Sequence, residues 1–219
     1  MSNLSGKTAL VTGAGTGIGR GIAQRLAEHG ADVIIIGRTE ATLHEAAAQH
    51  DRISYLVADI GRGKDLERVI ADIESGYGKL DILVNNAGVA PVTPFANLDM
   101  AEFDNVFQSN VRGLVELTHK ALPFLHENRG NVVNISTSIV GRPMANMGIY
   151  AASKAAVNML TRVWAKELAA DGIRVNSVGV GPIETPIYDK TDLSPEEAQK
   201  HIDRVKGSVP LGRFGSVDE

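Results

Sequence analysis

Cysteine is missing from this 219-residue chain, so neither a disulfide framework nor a thiolate metal site can form. The six histidines, His29, His44, His50, His119, His126 and His201, are scattered, and none joins a carboxylate at helical metal-ligand spacing. They are expected on surfaces or in helices, and no metal is expected. No apolar run approaches the length that spans a bilayer, and residues 1–7 lack the apolar stretch of a secretory signal. A cytoplasmic location is therefore expected, and the glycosylation sequons at Asn3 and Asn134 read as chance matches. Positive charge is scarce too: 22 Lys and Arg against 26 Asp and Glu give a net charge of -4, which argues against a dominant polyanion-binding role. Neither nucleic acid nor membrane is an expected partner, although a local basic patch for one cofactor is compatible with this balance. No internal repeat, low-complexity tract or linker divides the chain, and 43% hydrophobic content suits one domain spanning 1–219.

What the sequence does contain is alternation. Short β-branched runs at 8–12, 33–36, 53–57, 82–84, 132–135 and 175–178 are separated by helical segments such as 17–28, 40–49 and 65–77. Several runs are apolar at every position, as strands buried on both faces are. The segments between them are long enough for right-handed crossover helices. The fold class expected is α/β, a doubly wound Rossmann-type parallel sheet with helices on both faces. Glycine and proline cluster at the joints, as in Ala87-Gly88-Val89-Ala90-Pro91 and Gly179-Val180-Gly181-Pro182. Several joints follow a strand, on the carboxyl edge where an open parallel sheet binds ligands. Residues 183–210 differ, being polar, with Ser194-Pro195-Glu196-Glu197 reading as an N-cap, a first-turn proline and a capping box. That segment is either a substrate lid or an ordinary surface excursion.

The first strand runs into Thr12-Gly13-Ala14-Gly15-Thr16-Gly17-Ile18-Gly19 and then directly into a helix. Glycines let the backbone turn sharply and approach a pyrophosphate, while a helix N-terminus offers N–H groups and a positive dipole end. Gly13, Thr16, Gly17, Ile18 and Gly19 are thus candidate cofactor contacts. Further on, Tyr150 and Lys154 are four apart and share one helix face. A phenol that titrates at its ordinary value of about 10 is a poor base at neutral pH, but a neighbouring ammonium favours the phenolate. Alone, such a pair is more often solvated than catalytic.

Taken together, Gly-x-x-x-Gly-x-Gly, Asp59, Asn85-Asn86-Ala87-Gly88 and Tyr150-Ala151-Ala152-Ser153-Lys154 resemble the short-chain dehydrogenase/reductase family along nearly the whole chain. The resemblance implies hydride transfer between a nicotinamide cofactor and a carbonyl or secondary alcohol, with a catalytic set of Asn110, Ser138, Tyr150 and Lys154. Tyr150 would exchange the proton, Lys154 would lower its pKa and bind the nicotinamide ribose, and Ser138 would hold the reacting oxygen. Asn110 would help retain a water linking the lysine to solvent. Ser138 is selected by aligning Gly141 with the glycine that closes the family's serine motif; Ser136 and Thr137 are lesser candidates. The resemblance also gives cofactor contacts to Asp59, Ile60, Asn86, Ala87, Gly88, Ile183 and Thr185, and it implies a homo-oligomer, dimer or tetramer. Apolar residues around much of the circumference of 150–170 fit pairing between subunits.

Two departures stand out. Val180 occupies the position of a usual proline, which is expected to loosen the following loop. The sequence also ends at Glu219, where relatives usually continue through a helix and a seventh strand, so the sheet is expected without that strand. A non-catalytic dinucleotide sensor, or epimerase or dehydratase chemistry, are rival readings on the same fold. Relatives reduce 3-oxoacyl chains, sugars, steroids or small ketones. Val89, Ala90, Ile139, Val140, Met144, Met147, Ile187 and Tyr188 are candidates for a partly apolar substrate pocket, and they would serve equally as ordinary packing. For the cofactor, NAD-preferring enzymes place an acid at the end of the second strand, whereas this chain has Gly37 followed by Arg38 and Thr39. A guanidinium grips phosphate through forked hydrogen bonds, so NADP is expected, unless Arg38 is simply solvated.

Overall fold

The computed structural model describes residues 3–186 and 194–219. Its sheet has six parallel strands in the order β3-β2-β1-β4-β5-β6. They are β1 (Thr8–Thr12), β2 (Asp32–Gly37), β3 (Ile53–Val57), β4 (Ile82–Asn85), β5 (Asn131–Thr137) and β6 (Arg174–Val180). Chain order runs outward from β1 in one direction and from β4 in the other, so the helices leave on opposite faces. This is the doubly wound Rossmann arrangement that the alternating runs predict, and six strands are present among the described residues.

Each face of the sheet carries its own core. Leu10, Ile34, Leu83 and Val132 pack toward α3 (Gly63–Tyr77), α5 (Gly113–Glu127) and α6 (Gly148–Glu167) through Leu66, Ile73, Leu117 and Trp164. Ala9, Val11, Val33 and Ile35 pack on the other face toward α1 (Gly17–Glu28) and α2 (Glu40–Ala47) through Ala23, Ala27 and Leu43. Alternate residues of one strand thus serve opposite cores, which is why those runs are apolar throughout.

Four polar side chains interrupt the core and bond to one another, which offsets most of the cost of burying them; the Asn85 Oδ1 is left without a partner. The Asn85 amide donates to Thr118 Oγ1 at 3.0 Å and to Asn134 Oδ1 at 2.9 Å, and the Asn134 amide donates to Thr161 Oγ1 at 2.9 Å. The threonine hydroxyls pass their protons to Leu114 O and Val157 O on their own helices. This chain of bonds fixes α5, β4, β5 and α6 in mutual register. On the outer side, Lys7 pairs with the buried Asp81 at 2.6 Å, and Asp81 also accepts from the Thr8 N–H, aligning the amino ends of β1 and β4.

α4 (Met100–Phe107) is capped by Asp99, which accepts from Ala101 N. A π-helical turn, Gln108–Arg112, joins it to α5. The last helix, α7 (Pro195–Ser208), starts as its sequence predicts, with Ser194 and Glu197 forming a reciprocal capping box behind Pro195. Ile187 and Tyr188, two of the candidate pocket residues, lie outside the described residues. His201 is the exception among the histidines: it is buried on α7, beside Val205 one turn on.

At the position of the usual proline, Val180 extends the strand. As a residue with a backbone N–H, it continues β6 to its last pair with Thr137, a ladder position that proline would weaken. Beyond it, Gly215 N donates to Pro182 O and Glu184 N donates to Gly215 O, both at 2.9 Å, so the segment carrying Ile183 is clasped from the far end of the chain.

Candidate active site

The reversal of winding between β1 and β4 opens a crevice at their carboxyl ends, the position where doubly wound sheets bind ligands. Its floor is locked by Thr12, whose Oγ1 accepts from the N–H groups of both Asn86 and Ala87 at 2.9 Å. The Asn86 side chain returns the contact, donating to Thr12 O at 2.9 Å and Gly13 O at 3.2 Å. The two turns therefore form one rigid rim. A side chain at Gly13, whose φ is +64°, would stand 2.8 Å from Ala87 Cα, and one at Gly19 would stand 2.6 Å from Gly13 O. Glycine at these positions lets the backbone of the first turn lie flat against its neighbours and leaves the groove unobstructed.

That groove has a volume near 490 Å³ and is lined by Gly13, Thr16, Gly17, Ile18, Gly37, Arg38, Thr39, Asp59, Ile60, Asn86, Ala87, Gly88 and Thr185. The structure thus gathers nearly all of the predicted cofactor residues along one surface. Gly19 acts beneath it as a packing glycine, and Ile183 lines the adjoining cavity instead. Gly15 of the same turn also lines the groove, as do Thr42, Leu43, Glu102 and Asn105, which carry no motif and which only the fold brings there. The first turn of α1 bears no acidic side chain, so its positive dipole end is not neutralised locally. Asp59 accepts from Gly61 N at 2.9 Å, which shapes the turn after β3. At the end of β2, Arg38 is exposed and has no carboxylate within 4 Å among the described residues. A groove with a glycine-walled helix terminus at its edge fits a dinucleotide.

A second cavity of about 170 Å³ continues from the groove, sharing Ile18, Asn86, Gly88, Val89, Ala90 and Thr185 with it. Tyr150, Lys154, Ser136, Thr137 and Ser138 all face this cavity. The three hydroxyl residues end β5 and begin the turn after it, and they differ in burial: Ser136 is buried, Thr137 half-buried and Ser138 exposed. Thr137 Oγ1 also accepts a long bond from Ile139 N. Of the predicted substrate-pocket residues, Val89, Ala90, Ile139, Met144 and Met147 line the cavity and Val140 does not.

Lys154 is only 4% exposed, and its ammonium donates to the carbonyl of Ile135 at 2.7 Å. Burial lowers its pKa from 10.5 to about 8, a shift that still leaves the ammonium form predominant at neutral pH. Asn110 sits in the π-helical turn, fully buried, and its amide clasps one residue from both sides: Oδ1 accepts from Val89 N and Nδ2 donates to Val89 O, each at 2.9 Å. The remaining Nδ2 proton goes to Ser153 Oγ at 3.0 Å, and Ser153 in turn donates to Tyr150 O. Asn110 thereby ties the loop after β4 to the first turn of α6. A side chain at Gly88 would approach Asn110 Oδ1 at 3.0 Å and Lys154 Nζ at 3.6 Å, so the three meet at one point.

A doubly wound sheet, a glycine cradle at its switch point and an adjoining cavity with tyrosine, lysine and hydroxyls define the class of a nicotinamide-dependent Rossmann oxidoreductase. The family model described as short chain dehydrogenase matches residues 7–196, and the chain belongs to that family. It is 35% identical over 223 residues to 3-oxoacyl-(acyl-carrier-protein) reductase FabG of Thermotoga maritima, covering 99% of this chain and 87% of that protein. Human L-xylulose reductase is 35% identical over 217 residues, with 98% of this chain and 86% of that protein covered. Among solved structures, a 3-ketoacyl-(acyl-carrier-protein) reductase from Brucella melitensis complexed with NADH superimposes with a TM-score of 0.89 at 34% identity, covering 98% of this chain and 87% of that one. Among the described residues no helix is long and apolar enough to cross a membrane, and no cluster of His, Cys, Asp or Glu is arranged to hold a metal.

The state of Lys154 has a measurable signature. Between its folded and ordinary pKa values the unfolded chain holds a proton that the folded protein lacks, so stability rises with pH across that window. Relative to Lys154→Met, the wild-type protein should gain up to about 3 kcal/mol as pH rises from 8 through 10.5. Urea unfolding of both proteins at the two ends checks this, and a constant difference between them contradicts the assignment.

Proposed function

We propose that the protein, acting as one domain over 1–219, catalyses NADP(H)-dependent interconversion of a carbonyl and a secondary alcohol by a Ser-Tyr-Lys mechanism. The observation that carries this reading is that Tyr150, Lys154 and the hydroxyls of residues 136–138 line one cavity opening from the glycine-walled groove. Gly13, Thr16, Gly17 and Ile18 would hold the pyrophosphate end of the cofactor, with Gly19 packed beneath them, Asp59 and Ile60 the adenine, and Asn86 to Gly88, Ile183 and Thr185 the nicotinamide half. The bound nicotinamide supplies or accepts the hydride.

The chain's own residues handle the oxygen and its proton. Ser138 donates a hydrogen bond to the reacting oxygen and fixes its distance from Tyr150. Tyr150 gives its phenolic proton to that oxygen in reduction and takes it back in oxidation. Lys154, a cation held in a dry site, stabilises the phenolate, because Coulomb attraction is strongest where water is excluded. Asn110 keeps the loop after β4 against α6 and supports proton resupply: its Oδ1 retains a lone pair after accepting from Val89 N. The described parts of the segment 183–210, residues 183–186 and 194–210, act as a lid on the cavity, a role supported by Val205 of α7, which lines the cavity wall; residues 187–193 lie outside the described residues.

A cytoplasmic homo-oligomer is the assembly we propose. On α6, Ser153, Lys154, Val157 and Thr161 face inward, yet a second stripe of Ala152, Ala155, Met159 and Val163 is exposed. A helix that already buries one face and exposes an apolar stripe on another has a second surface to cover.

Tyr150→Phe tests the mechanism: kcat should fall at least about 100-fold while the NADPH Kd stays within about twofold. Near-normal turnover would remove the tyrosine from the reaction. Cofactor choice has its own test. Arg38→Ala should weaken NADPH binding by about 1.5–3 kcal/mol and scarcely change NADH. Equal losses for both, or tighter binding of NADH by the wild type, would overturn the choice of NADP.

A further inference from the structure

We infer that the substrate of this site is a neutral carbonyl compound whose flanking group is apolar, so that polyhydroxylated and anionic carbonyl compounds are poor substrates. This rests on the carbonyl reduction proposed above and decides which carbonyl is reduced. The polar groups of the 170 Å³ cavity are concentrated on two short pieces of chain, residues 136–138 and the first turns of α6. The reacting oxygen takes Ser138 and Tyr150 from among them, and the hydroxyls of Ser136 and Thr137 lie at that same end of the cavity. Of the other polar contributors, the Asn86 amide nitrogen donates to Thr12 O and Gly13 O, Lys154 donates to Ile135 O, and Thr185 stands where the cavity meets the groove, on the cofactor side.

The rest of the wall is hydrocarbon and thioether, from Val89, Ile139, Met144, Met147, Val180 and Val205. Among the described residues, no Asp, Glu, Arg or His lines the cavity. A carboxylate or phosphate would therefore be desolvated with only the buried Lys154 as a cation, and that ammonium is held by a carbonyl. The hydroxyls of a sugar fare little better, since those beyond reach of residues 136–138 exchange water for an apolar wall. Two flexible methionines can instead mould themselves around an alkyl group of variable shape. Val205, buried at 3% exposure on α7, adds an apolar contact from the segment over the cavity.

The test compares three compounds of equal carbon number: an alkyl methyl ketone, a ketose and a 2-oxo acid. Turnover with NADPH gives kcat/KM, and calorimetry with NADP⁺ gives the Kd of the matching alkanol, alditol and hydroxy acid. The alkyl member should lead in kcat/KM by about 100-fold or more, and the alkanol should bind most tightly. In Met144→Arg, a half-buried wall position, the lead over the 2-oxo acid should shrink about 10-fold. A ketose or oxo acid that matches or exceeds the alkyl ketone overturns the inference and leaves carbonyl reduction standing. If none of the three oxidises NADPH, carbonyl reduction fails, and the order of alcohol binding still decides: alkanol tightest supports an apolar site, any other order overturns it.

Discussion

The site depends on one constraint, the reversal of winding between β1 and β4. Parallel strands joined by right-handed crossovers leave helices on one face when the chain moves one way along the sheet and on the other face when it moves back. Where the direction changes, two adjacent strand ends have no helix between them. The chain exploits this crevice by fastening its edges together, with Thr12 accepting from Asn86 and Ala87 while Asn86 donates back to Thr12 and Gly13. A groove with rigid edges can present backbone N–H groups to a ligand without reorganising. The chemistry lies beside it because α6 leaves the end of β5 and brings Tyr150 and Lys154 to the same rim.

Polar atoms inside the sheet perform the positioning. Asn85 and Asn134 lie side by side in paired strands and reach Thr118 on α5 and Thr161 on α6. An apolar pair there would pack without specifying an angle between helices, whereas directed hydrogen bonds admit few arrangements. The same logic runs through Asn110, whose amide holds Val89 and Ser153 at once. The positions of the cavity-lining groups are thus set one layer behind them. Lys154 shows the cost of such an arrangement: its ammonium is buried, and burial lowers its pKa to about 8.

Much of this is legible in the sequence, for physical reasons that also explain what is not. Strands buried on both faces must be apolar at every position, so runs such as 33–36 announce themselves. Their ends do not: Asn85 and Ser136 and Thr137 are polar yet within strands, since the carboxyl edge is where polar groups face a ligand. The glycine turn and the Tyr/Lys pair are readable because local spacing alone places them. The capping box before α7 is readable for the same reason. The clasp of Asn110 on Val89 is not, nor is that of Gly215 on Ile183, because each joins segments distant in the chain. His201 is read from its polarity as a surface or helix residue; it lies in a helix, but on its inward face.

Hydride transfer to a carbonyl carbon is the claim on which the functional account stands. Reduction of an alkyl ketone with NADPH dideuterated at nicotinamide C4 tests it most directly. The account predicts that the product alcohol carries one deuterium on its carbinol carbon, as mass spectrometry and proton resonance would show. An alcohol without deuterium at that carbon, or cofactor oxidised with no alcohol formed, would contradict it.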